Sequence, residues 1–212
     1  MITKPYIICL EGLDGCGKST QAKLLAEQIN GFYTREPSDW PIGKLIRERL
    51  TGHGPELSET TLQLMYAADR GHHMAAEVEP KLKENIPVIF DRYFFSSIAL
   101  GYGQDLDRDW LNTINRYYPA PDFLFIINTP LEECFKRLQL KSPNYQTEHF
   151  ERREIQAKAQ TVYLSLVNDY PATIKEHPQN LIKPQIHLID GMQAIDTTNQ
   201  QILSIINQTY ES

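Results

Sequence analysis

Between Tyr6 and Ile29 a continuous apolar run, a glycine-rich turn and a helical pattern follow one another without a gap. Tyr6 to Leu10 reads as a strand buried on both faces, because no polar residue alternates through it. Lys18 to Ile29 reads as a helix, stopped by Asn30-Gly31. The turn joining them, Gly12-Leu13-Asp14-Gly15-Cys16-Gly17-Lys18-Ser19, fits the pattern Gly-x-x-x-x-Gly-Lys-Ser in the strand–turn–helix context that gives the pattern its meaning. Gly12, Gly15 and Gly17 let the backbone curl until its N–H groups converge on phosphate oxygens, and the helix start adds its positive dipole end. Lys18 supplies a mobile charge for the β- and γ-phosphates, and the Ser19 hydroxyl is placed to ligate Mg²⁺. The expected ATP-binding residues are therefore Gly12, Asp14, Gly15, Cys16, Gly17, Lys18, Ser19 and Thr20.

Downstream, short apolar runs alternate with longer helical patterns, the mark of a parallel sheet built from βαβ units. Further strands are expected at Phe32–Arg35, Val88–Asp91, Phe123–Asn128 and Ile186–Asp190. Helices are expected at Ile42–Leu50, Ser58–Glu84, Ser96–Ala99, Asp107–Tyr117, Leu131–Leu140, His149–Asp169 and Thr197–Tyr210. In the longest, Leu64, Ala68, Ala75, Val78 and Leu82 fall near one face, and Pro80 is a kink site. Lys141 to Thr147 is polar, contains Ser-Pro-Asn and lies between two helices, which suits a mobile loop or lid.

The 212 residues suffice for one sizeable α/β core, so a single domain over 1–212 is expected, with the lid at about 141–153. A net charge of −6 argues against broad nucleic-acid binding, which needs a basic footprint. Cys9, Cys16 and Cys134 have neither metal-ligand spacing nor the number for a disulfide framework, so a reduced, cytoplasmic setting is expected. No apolar run has the length of a membrane span.

The phosphate loop alone does not choose between a switch, a motor and a kinase. No Asn-Lys-x-Asp guanine-reading motif follows it, and the chain lacks the length of a helicase or transporter ATPase, which leaves a small-molecule kinase. Tyr66 and Arg70 are four apart on a helical pattern and project from one face. They fit a nucleoside monophosphate, the ring stacking on the base and the guanidinium forking a phosphate. Taken alone, they fit a core tyrosine beside a surface arginine at least as well. Val88 to Asp91 runs into Arg92, so an acid and a base sit at the carboxyl end of a strand, where ligands bind in open parallel sheets. Asp91 can hold Mg²⁺ through its water shell, and Arg92 can neutralise a transferring phosphoryl group. His72 and His73 are adjacent on a helix and point apart, which disfavours a metal site between them. Cys16, among phosphate-facing amides, reads as a small filler.

With these pieces in order, the chain resembles the thymidylate kinases. The resemblance runs through Glu11 to Gln21, Thr34-Arg35-Glu36-Pro37, Ala68-Asp69-Arg70, Asp91-Arg92-Tyr93, Pro121-Asp122 and Ile189-Asp190, over nearly the whole length. It implies an α/β P-loop kinase with a five-stranded parallel sheet flanked by helices, a short lid and a homodimer. The implied reaction is transfer of the ATP γ-phosphoryl group to dTMP, with Mg²⁺, in dTTP synthesis. The resemblance groups Asp14, Glu36, Tyr66, Arg70, Arg92, Ser96 and Gln104 with dTMP. Asp14 is expected at the sugar 3′-hydroxyl, Arg70 and Arg92 at the monophosphate, Tyr66 on the base, and Ser96 or Ser97 with Gln104 near the base edge. Lys18, Arg92, Asp91 and Asp14 are the expected catalytic group, and Ser19 and Asp91 belong with the metal. A kinase for another monophosphate such as dUMP, or a nucleotide-sensing protein without turnover, shares most of these motifs.

Three departures from the family pattern stand out. Ser38-Asp39-Trp40 replaces a common Gly-Gly-Thr, with Trp40 expected to cover the following helix. Leu100 takes a position where relatives usually carry an aromatic that crowds a ribose 2′-hydroxyl, so deoxyribose selectivity is expected to rest on Leu100 or on Tyr102. Gly15 stands where one subgroup has arginine, which points to a cation supplied from the lid. Yet the lid reads Glu148-His149-Phe150-Glu151 where relatives tend to have arginine second. Arg137, Lys141, Arg152 and Arg153 are the nearby candidates.

Overall fold

A computed structural model describes residues 6–141, 149–170 and 183–210, the side chains of 149–152 and 210 excepted. Five strands, β1 (Ile7–Glu11), β2 (Phe32–Arg35), β3 (Val88–Asp91), β4 (Phe123–Asn128) and β5 (Gln185–Asp190), form one sheet in the order β2-β3-β1-β4-β5. Every neighbouring pair is parallel. The three middle strands are the continuously apolar ones, and Ile8, Leu10, Phe90, Leu124 and Phe125 are fully buried in the core. Because β1 lies between β3 and β4, the chain changes direction around it and leaves a crevice at its carboxyl end. The register sets Leu10 beside Asp91, Asp91 beside Arg35, and Glu11 beside Ile126, so the charged strand ends meet at that crevice.

The helices are α1 (Lys18–Gln28), α2 (Pro41–Leu50), α3 (Glu59–His73), α4 (Glu79–Lys83), α5 (Phe94–Gly103), α6 (Arg108–Asn115), α7 (Leu131–Lys141), α8 (His149–Asn168) and α9 (Ile195–Tyr210). α5 corrects the short helix expected at Ser96–Ala99. The buried carboxylate of Glu11 accepts the N–H groups of Tyr93 at 2.8 Å and Ser96 at 3.2 Å. It thus caps the helix start from another element, so the helix begins directly after Tyr93.

The long pattern expected at Ser58–Glu84 also differs. Ser58 caps α3 through the Thr61 N–H at 3.1 Å, but Met74–Val78 forms a π turn before α4. That irregularity precedes Pro80, whose ring crowds the preceding turn, and it breaks the register between the two halves. The expected apolar stripe is accordingly split: Leu64 is 49% exposed and Ala68 and Ala75 face outward, whereas Val78 is buried and Leu82 packs against the core. α3 instead buries Leu62, Gln63, Ala67, Asp69, Arg70 and His73. Polar groups occupy the inner face because they pair there; Asp69, for example, accepts the Ser38 N–H at 2.7 Å and the Ser38 hydroxyl at 2.6 Å.

On β5, His187 stacks on Phe125, with centroids 5.6 Å apart, and its Nε2 is buried without a partner among the described residues. Burial holds its pKa below the ordinary histidine value. The unfolded chain therefore takes up this proton more readily than the folded one. The contribution of neutral His187 is complete above about pH 6.5 and is lost as pH falls through the lower folded pKa. His187→Phe is expected to lose less melting temperature than the parent between pH 8 and pH 5.5, read by thermal denaturation at both values.

Candidate active site

The phosphate loop leaves β1 at Gly12 and enters α1 at Lys18. Gly15 has φ +81°, and a Cβ there would collide with the Cys134 carbonyl and lie 2.9 Å from the Leu138 side chain. α7 thus rests directly on the loop, which is the physical reason position 15 holds no side chain. Lys18 is 5% exposed and folds back over the loop, its Nζ donating to the Leu13 carbonyl at 3.0 Å and lying 3.9 Å from the Asp14 carboxylate. Cys16 is buried behind the loop, as its filler role requires. A cavity of about 370 Å³ opens here, with Lys18, Ser19, Asp91 and Arg92 in its wall. Arg35 and Arg47 line it as well, and neither was singled out from the sequence.

A second cavity of about 640 Å³ is lined by Tyr66, Arg70, Ser96, Ser97, Leu100 and Gln104 among others. The two share Asp14, Glu36, Pro37 and Arg92 as a common wall. Arg92 stands at this junction with φ +73°, its N–H donating to the Leu10 carbonyl at 3.1 Å. Its guanidinium is hydrogen-bonded to Asp14, to Ser96 Oγ at 2.7 Å and to Tyr163 Oη at 3.3 Å. Burial opposes its charge, but Asp14, then Tyr163 and Glu11, hold its pKa well above the ordinary arginine value. Glu11 shifts up through burial, against the pull of Arg92. Gln156 on α8 clasps Asp14 from the other side, donating to Oδ2 at 3.0 Å and accepting the Asp14 N–H at 3.2 Å. Neither Gln156 nor Tyr163 had a sequence signal, Gln156 lying 142 positions from Asp14 and Tyr163 lying 71 from Arg92.

Asp91 presents two unlike oxygens. Oδ2 accepts the Tyr33 hydroxyl at 3.3 Å, whereas Oδ1 is buried with no partner among the described residues.

Arg70 is 1% exposed, so the alternative of a surface arginine is excluded. Its Nε and Nη2 reach Glu36 Oε2 at 2.8 and 2.6 Å, its Nη1 donates to Asn115, and its Nη2 donates to Ser97 Oγ at 3.1 Å. The rings of Tyr93 and Tyr118 flank it at 5.5 and 5.4 Å. Burial works against its charge, and Glu36 more than offsets this. Ser96 is engaged with Arg92 and Glu11, the latter at 2.6 Å, so Ser97 is the serine beside Arg70. Tyr66 lies in the cavity wall with its phenol pushed up to about 12 by burial. Gln104 donates to Glu59 at 2.5 Å.

Comparison with known proteins accords with this geometry. The thymidylate kinase family model matches residues 10–200. A "Probable thymidylate kinase" of Thermococcus kodakarensis is 36% identical over 94% of this chain and 96% of its own length. One from Methanococcus maripaludis is 38% identical over 95% and 91%. The chain belongs to the thymidylate kinase family. A solved thymidylate kinase from Candida albicans superposes with a TM-score of 0.77 at 26% identity, covering 98% of this chain and 93% of that one. As a member of the family the chain is a phosphotransferase, and its five-stranded parallel sheet with flanking helices is the thymidylate kinase fold.

Within that family the departures take a definite form. Leu100 lines the larger cavity, whereas Tyr102 is 41% exposed and stands by Leu106 and Lys158 outside it. Trp40 meets His72 edge-on at 5.0 Å, which corrects the expected cover of the following helix: the ring lies against α3, and Trp40 lines neither cavity. His73 points the other way, 2.7 Å from Thr34 Oγ1, and the described residues hold no cluster of three metal-ligating side chains. Of the expected lid cations, Arg137 is tied to Glu133 at 3.0 Å and to the carbonyls of Cys16 at 3.3 Å and Gly191 at 3.0 Å. Arg153 pairs with Glu132 and covers the Phe135 ring. Lys141 lines the phosphate cavity. The Arg152 side chain and residues 142–148 lie outside the described residues.

Proposed function

We propose that this chain transfers the γ-phosphoryl group of ATP to the phosphate of dTMP, giving dTDP for dTTP synthesis. The observation that carries the reading is the common wall: a loop built for a triphosphate and a cavity of nucleotide size meet at Arg92 and Asp14. The loop amides and Lys18 hold the donor phosphates, and Asp14 meets the sugar 3′-hydroxyl of the acceptor. Tyr66 stacks on the base, and Leu100 packs beside the sugar. Arg70 belongs at the base end with Ser97, because its fork is already filled by Glu36. The acceptor phosphate falls instead to Arg92, with Arg35 and Arg47 in the adjoining wall.

The phosphate acceptor is anionic at neutral pH, so no strong general base is needed. Catalysis comes from alignment and from cations around the charge that develops in flight. Ser19 and Asp91 line one cavity, and Asp91 Oδ1 is buried without a hydrogen-bond partner among the described residues, a pair that fits a hydrated hard cation. Mg²⁺ held there would neutralise the β- and γ-phosphate oxygens. Lys141 is the lid cation in this reading. Lys141→Ala is expected to lower kcat about tenfold to a hundredfold, less than a sole arginine finger, with the Kd for dTMP unchanged.

The outward stripe of Leu64 and Ala68 on α3, continued by Ala75 in the π turn, supports a homodimer, since a repeated apolar face suits a self-complementary contact. No helix among the described residues is long and apolar enough to cross a membrane, and a cytoplasmic enzyme acting on ATP and dTMP accords with that.

A coupled assay for ADP release with ATP-Mg²⁺ and dTMP, dUMP, ribo-TMP, dCMP or thymidine tests the function. dTMP is expected to stimulate release most, and thymidine not at all. Release at the ATP-only background with every monophosphate would overturn the assignment.

A further inference from the structure

β2 and β3 run in parallel with Tyr33 opposite Ile89 and Arg35 opposite Asp91. Residues two apart on a strand share a face, so Tyr33 lies on the side of the sheet that carries Asp91. Its ring leans toward the strand end, and its hydroxyl reaches Asp91 Oδ2 at 3.3 Å. From α1, Lys23 Nζ sits over the ring, 5.5 Å from its centroid.

The two carboxylate oxygens thereby acquire different duties. Oδ2 is held by Tyr33, and Oδ1 is left buried and unpartnered among the described residues in a carboxylate that lines the phosphate cavity. Without the phenol, nothing on β2 restrains rotation of the carboxylate: Arg35, its register partner, is turned to Asp39 at 3.0 Å. We propose that Tyr33 is a positioning residue for the metal site, fixing Asp91 so that Oδ1 addresses the hydrated cation beside the phosphates. The proposal rests on the reading of Asp91 as the residue that holds Mg²⁺ through its water shell. Hydrogen bonds to such carboxylates commonly set metal affinity by about tenfold or more.

The test uses Mn²⁺ as the probe, its affinity for the protein–ADP complex being read from water-proton relaxation in the parent, Tyr33→Phe and Asp91→Asn chains. The Kd for dTMP and the melting temperature are measured alongside. Tyr33→Phe removes one oxygen and keeps the ring against Lys23. It is expected to weaken Mn²⁺ about tenfold, with the dTMP Kd and melting temperature close to the parent values. Asp91→Asn is expected to weaken Mn²⁺ at least as much. If Asp91→Asn weakens Mn²⁺ while Tyr33→Phe matches the parent, the positioning role is overturned and the reading of Asp91 stands. Unchanged Mn²⁺ affinity in Asp91→Asn removes the premise and the proposal with it. Equal weakening of Mn²⁺ and dTMP in Tyr33→Phe also overturns it, since that is general loosening of the β2–β3 edge.

Discussion

Arg92→Met is expected to lower kcat about 10³-fold while the KM for ATP moves little. Arg92 is the one cation in the wall common to both cavities that is gripped on several sides, by Asp14, Ser96 and Tyr163. Such fixing is what makes a charge useful in the transition state, because it need not reorganise as the phosphoryl group moves. Methionine keeps much of the stem and removes the charge. In the proposed reading ATP is held chiefly by the loop and Lys18, which insulates its KM. Steady-state kinetics with each substrate varied in turn make the check, and a loss confined to the KM for ATP would assign Arg92 to the donor site instead.

Arg70→Ala is expected to destabilise the fold by about 3–5 kcal/mol, the cost of leaving a buried carboxylate without its partner. Glu36 would lose both guanidinium hydrogen bonds, and its Oε1 already has no partner among the described residues, lying 3.6 Å from His73 Nδ1. Removing both charges should cost less than removing Arg70 alone, so Arg70→Met with Glu36→Gln is expected to recover part of the stability. Chemical denaturation measures this. In whatever fraction stays folded, the KM for dTMP is expected to rise much more than that for ATP; an equal rise in both would count against the base-end position.

The three middle strands were legible because they are short apolar runs, and β2 because Pro37 closes it. β2, β3 and β4 fall on the expected residues, β5 begins one residue earlier, and β1 is shifted by one residue at both ends. The phosphate loop was legible for the same local reason. What escaped was set by distant partners. The start of α5 depends on Glu11, eighty-two positions before Tyr93. The inner face of α3 is polar because Asp69, Arg70 and His73 find buried partners on other elements, so a search for an apolar stripe selects the outer face. Arg47 and Gln156 reach the site only through the packing of α2 and α8, and no local pattern marks them. The four lid cations could not be ranked from spacing, since what separates Arg137 from Lys141 is a pair of backbone carbonyls around the loop.

The contact between Gly15 and α7 constrains how such an enzyme can change over evolutionary time. An arginine at position 15 would drive its Cβ into the Cys134 carbonyl and the Leu138 side chain, on the helix that ends at Lys141. A gain of charge in the loop is therefore expected to need a shift of α7, and with it of Lys141, the cation proposed to face the phosphates from that helix.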